Sequence, residues 1–138
     1  MKLILQTNKL EDYLKETKYV DFNNLLIQEK AMELFLNCNN DIEKIKSAFE
    51  FVRDEIPHSW DIKNEEISIY ASKSLENKAG MCYEKSILFA ALLRSQGIPT
   101  GFCYQRLTLG ETDEYGYCIH ALNAVYISEN EKWIRLDA

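Results

Sequence analysis

The chain has 138 residues, 46% of them hydrophobic and 28% charged, which suits one globular domain and excludes a disordered chain. Its net charge of −6 argues against nucleic acid or an anionic membrane as a partner, since those demand clustered positive charge. No apolar stretch approaches the roughly 20 residues that span a bilayer, and the apolar run in residues 1–6 is too short for a signal-peptide core. A cytoplasmic location with reduced thiols is therefore expected.

In chain order, helical periodicity comes first. Residues 22–37 carry Leu25, Leu26, Ala31, Met32 and Phe35 at helical spacing, with Asp21 as the expected N-cap. A second helix is expected after Asn40, with Glu43 at the capping-box position, a stripe of Ile42, Ile45, Phe49, Val52 and Ile56, and Pro57 as its stop. Periodicity is lost over residues 58–69, which predicts an irregular connection. Ser72 is placed to cap a short helix running through Asn77.

Residues 83–95 then predict a helix that is apolar nearly all round (Ile87, Leu88, Ala90, Ala91, Leu92, Leu93), hence buried, and Gly97 with Pro99 ends it. Beyond it the period changes to two. Strands are expected over 100–109, 117–127 and 133–136, joined by polar or glycine-bearing turns at 110–116 and 128–131. Helices followed by an antiparallel meander predict an α+β domain, with the helices packed on the sheet.

The cysteines are Cys38, Cys82, Cys103 and Cys118, with no CxxC pair, and the histidines His58 and His120 lack zinc-finger spacing. No disulfide framework, metal or organic cofactor is expected; a thiol-ligated metal at Cys82 and His120 is the weakest alternative. Cys38, Cys103 and Cys118 suit small buried hydrophobes. Cys82 differs, because it opens the buried helix, where unpaired N–H groups and the macrodipole favour the nucleophilic thiolate.

His120 lies early in the strand 117–127. If Ile127 pairs with Lys132 across the 128–131 turn, Asp137 falls opposite Leu122, on the same face as His120. The two are then diagonal neighbours roughly 7–8 Å apart at the backbone. Such an aspartate orients an imidazole for work as a base.

Gly80-x-Cys82 before a helix ending Leu92-Leu93-Arg94-x-x-Gly97-Ile98-Pro99, then His120-Ala121-x-x-Ala124-Val125-Tyr126, then Trp133-x-x-x-Asp137, resembles the transglutaminase-like superfamily in residues and in order. The resemblance covers residues 52–138, and the segment 52–56 is similar to the helix that precedes the catalytic cysteine in bacterial members. It implies a papain-like, transglutaminase-like core in one domain over residues 1–138. It implies Cys82 as nucleophile, His120 as general base and acid, and Asp137 as orienter.

The activity implied is thiol-dependent hydrolysis of a peptide or amide bond through an acyl-enzyme. The substrate would be a peptide, a protein or a small amide. Transfer to an amine and a non-catalytic binding module are the alternatives. The Cys82 backbone N–H is the first expected oxyanion donor and the Trp60 indole a second, weaker one. Two departures stand out. Leu122 occupies a position where many members carry an aromatic, and the chain ends one residue after Asp137 where members normally continue, as a shortened chain would.

Overall fold

The computed structural model describes residues 9–56, 70–77, 82–108 and 117–138, except for the side chains at 77, 82, 83, 104–108 and 117–120. Among the described residues, a short 3-10 turn at Leu10–Tyr13 is followed by four helices, α1 (Leu25–Phe35), α2 (Asp41–Glu55), α3 (Ala71–Asn77) and α4 (Cys82–Arg94). Three strands follow, β1 (Thr100–Thr108), β2 (Tyr117–Ile127) and β3 (Lys132–Leu136). They form one antiparallel meander in the order β1-β2-β3, so the α+β expectation holds.

Local chemistry accounts for most element ends. The Asn40 side chain caps α2 by accepting from the Glu43 N–H at 2.9 Å, as the sequence predicts. Glu43 reaches back one residue further than a capping box requires, to the Asn39 N–H at 2.5 Å. At the other end of α4, Gly97 adopts φ 75°, a left-handed conformation that costs glycine little. The Ile98 N–H then returns to the Leu93 carbonyl (3.1 Å) and the Gly97 N–H to the Arg94 carbonyl (3.1 Å), a Schellman closure.

Two caps differ from expectation. Asn24, not Asp21, caps α1, accepting from the Leu26 N–H at 3.0 Å. Asp21 instead reaches across the fold to Ser72, taking its backbone N–H (3.0 Å) and its hydroxyl (2.5 Å). Ser72 therefore lies inside the first turn of α3 and donates to a cap supplied from elsewhere in the chain. The stripe of α1 also differs. Ile27, Ala31 and Phe35 are buried, while Leu25, Leu26 and Met32 are exposed. Ile42 of α2 is likewise exposed, and Ala48 takes a place in the buried row with Ile45 and Val52.

The core centres on α4, whose residues 88–93 are fully buried. Packed around it are α1, α2 and α3 on one side and β1 and β2 on the other. Arg94 secures this arrangement. Its buried guanidinium donates twice to the Thr100 carbonyl (2.9 and 2.7 Å) and once to the Lys15 carbonyl (2.7 Å). Helix, sheet and N-terminal segment are thereby joined by charge-assisted bonds. On the other face of the sheet, the Tyr13 ring lies against Trp133, with centroids 4.8 Å apart. It also sits where a Cβ on Gly101 would come within 3.1 Å of it.

Candidate active site

Cys82 is the first residue of α4, so its backbone N–H is one of the donors a helix start leaves without an intrahelical partner. His120 stands in β2 opposite Gln105 of β1. The pairing of β2 with β3 has Ile127 opposite Lys132 and Asn123 opposite Leu136, the register the turn length predicts. Asp137 follows β3 directly, and continuing that register sets it opposite Leu122. Trp60 lies outside the described residues, as do the side chains of Cys82 and His120.

A buried asparagine ties the two elements together. Asn123 is 1% exposed, and its amide nitrogen donates to the Ser86 carbonyl of α4 (3.0 Å) and the Gly101 carbonyl of β1 (3.2 Å). Near the far end of α4, Arg94 holds Thr100, which pairs with Val125. The helix and β2 therefore run in the same sense. Going from Ser86 back to Cys82 covers about 6 Å along the helix, and from Asn123 back to His120 about 10 Å along the strand. Both lead toward the same end of the packed pair. By alternation, position 120 belongs to the row of Leu122, whereas Asn123 and Val125 form the row that meets α4.

Lys85, in the first turn of α4, is only 8% exposed. Burial depresses its pKa, while the carboxylates of Asp137 and Asp54 act in the opposite direction. Asp137 is thus near enough for its charge to be felt in the turn that begins with Cys82. Cys103, on β1, is of another kind. Burial raises its thiol pKa against the opposing charge of Arg135, as suits an inert structural cysteine.

The sequence reading passed over Asn123 and Lys85. Each carried a signal: Asn123 is an amide amid Ala121, Leu122, Ala124 and Val125, and Lys85 is a charge in the first turn of a helix whose residues 87–93 are all apolar. Among the described residues no cluster of His, Cys, Asp and Glu is placed to hold a metal ion, and no helix is long and apolar enough to cross a membrane.

The model of the transglutaminase-like superfamily matches residues 28–138. The chain belongs to that superfamily. Among solved structures, it is similar to a candidate cysteine protease from Cytophaga hutchinsonii, with TM-score 0.74 and 19% identity over 95% of this chain and 42% of that one. A candidate protease from Parabacteroides distasonis matches with TM-score 0.58 and 14% identity, over 94% of this chain and 25% of that one. At these identities the likeness is one of fold, and the transglutaminase-like chain spans less than half the length of either structure. No curated protein matches it.

Proposed function

We propose that this transglutaminase-like domain is a thiol-dependent hydrolase of peptide or amide bonds, with Cys82 as nucleophile, His120 as general base and acid, and Asp137 as the orienting carboxylate. The observation that best supports the reading is the backbone placement of positions 82 and 120 toward one end of the α4–β2 pair. Cys82 begins α4, His120 lies toward that end of β2, and the Asp137 charge reaches Lys85 in the same helical turn. Because position 120 alternates with the row packed on α4, the imidazole would approach the thiol around the end of the sheet.

In the proposed reaction the Cys82 sulfur, deprotonated by His120, attacks the carbonyl carbon of the scissile bond. The Cys82 backbone N–H donates to the oxyanion that forms. Collapse of the tetrahedral intermediate breaks the C–N bond, and the imidazolium passes its proton to the departing amine, leaving a thioester. His120 then takes a proton from water, whose oxygen attacks the thioester. The carboxylic acid leaves, and the proton returns to sulfur. Asp137 holds the imidazole in one tautomer and faces the positive charge it acquires. A shallow or open site would admit an amine in place of water, which makes acyl transfer the neighbouring outcome of the same chemistry.

The test is the rate of iodoacetamide alkylation at Cys82 against pH, with peptide mapping to separate it from the other three cysteines. Wild type and His120→Ala are compared. We expect rapid alkylation of the wild type well below the roughly 8.5 pKa of a free thiol, lost in the variant. Ordinary thiol titration in both proteins would remove the catalytic reading and leave a binding module with this fold.

A further inference from the structure

We propose that Asn123 is a positioning residue, which sets the seat of β2 on the first turns of α4 and thereby the reach between positions 120 and 82. The inference rests on the catalytic reading above and deepens it.

Asn123 is 1% exposed and lies between Leu122 and Ala124, both buried. A buried amide here needs a reason, because an apolar residue of similar volume would fill the space without desolvating a polar group. The reason is visible in its partners. One nitrogen donates to Ser86 on the helix and to Gly101 on the neighbouring strand. Two carbonyl acceptors also fix the amide orientation, since the oxygen could donate to neither. The bonds span three segments distant in sequence, and no regular ladder bond can do that.

The location is what gives the clamp a role in the chemistry. Ser86 is four residues, one helical turn, after Cys82, and Asn123 is three residues after His120. Apolar contacts between α4 and β2 tolerate sliding, because packing has no preferred partner atom at the scale of an ångström. Hydrogen bonds at 3.0 and 3.2 Å do not. A displacement of about 1 Å in a catalytic pair lowers rates by orders of magnitude, so a rigid tie one turn from the nucleophile controls what a softer interface would leave loose.

The test compares wild type, Asn123→Ala, Asn123→Leu and His120→Ala in the full chain. Leucine fills the asparagine volume without donating, which keeps the experiment informative where the alanine cavity prevents folding. Two readouts are taken, the urea midpoint and the pH profile of Cys82 alkylation. In the leucine variant we expect folding to persist and alkylation near pH 6.5 to slow by about tenfold, the change in thiolate fraction that one pH unit produces.

A leucine variant with a shifted urea midpoint but the wild-type pH profile overturns the inference and makes Asn123 structural only. Failure of both Asn123 variants to fold also overturns it, since the residue would then serve the fold as a whole. A wild type whose profile is already indifferent to His120→Ala overturns the catalytic reading itself, and the comparison of those two proteins identifies that case separately.

Discussion

Lys85 shows how a single residue can pull against the fold that holds it. The residue is only 8% exposed, and burial lowers its pKa below the ordinary 10.5, with Asp137 and Asp54 only partly offsetting the loss of water. The unfolded chain therefore binds the proton more tightly than the folded one. Between the depressed folded value and 10.5, stability rises with pH, and below that window the full penalty persists. Lys85→Met should accordingly be more stable than wild type at pH 7, with the gap closing as pH climbs toward 10.5. Urea midpoints at pH 7 and pH 10 measure both statements. A less stable variant at pH 7 would show that the two carboxylates outweigh the desolvation.

At the scale of elements, the helix ends divide cleanly by the range of the forces that make them. Asn40 and Gly97 act on neighbours within a turn, and both were legible in the sequence. We expect Asn40→Ala to cost about 1 kcal/mol, read from the urea midpoint, because the Glu43 N–H loses its acceptor at the start of the longest described helix. Asp21 was illegible for the opposite reason. Asn24 competes with it for the start of α1, and its actual partner, Ser72, is remote in sequence. Periodicity announced α1 as a helix but pointed to the wrong stripe, because Leu25, Leu26 and Met32 also lie at helical spacing. The neighbours chose Ile27, Ala31 and Phe35, and left Leu25, Met32 and Leu36 in solvent. The β2–β3 register was recoverable because a turn of known length joins two strands with clear alternation.

For the molecule as a whole, the sequence conveyed the class of fold and the order of the chemical groups, since both depend on pattern. The candidate site was legible through residue types that are unusual where they stand, a cysteine opening a buried helix and a histidine in an apolar strand. Asn123 and Lys85 escaped notice because their partners are a pair of carbonyls and two distant carboxylates, which composition does not advertise. The same holds for Arg94, whose bonds to Lys15 and Thr100 unite the N-terminal segment, the central helix and the sheet. Replacing it by alanine strands the buried Thr100 carbonyl and removes three charge-assisted bonds, against which only the guanidinium's own desolvation is recovered. We expect Arg94→Ala to lose about 3 kcal/mol by chemical denaturation, with the loss reported alike by helical and aromatic signals. A variant that separates those two signals would mean that the sheet and the helices unfold independently.

The apolar circumference of α4 has a further consequence while the protein is being made. Residues 88–93 are sealed on one side by helices already synthesised, but on the other by strands that come later in the chain. At about 5–20 residues per second, the helix waits a few seconds outside the ribosome with a greasy flank uncovered. That interval is a window for a chaperone that grips apolar helices, and for aggregation when translation stalls between the helix and β2.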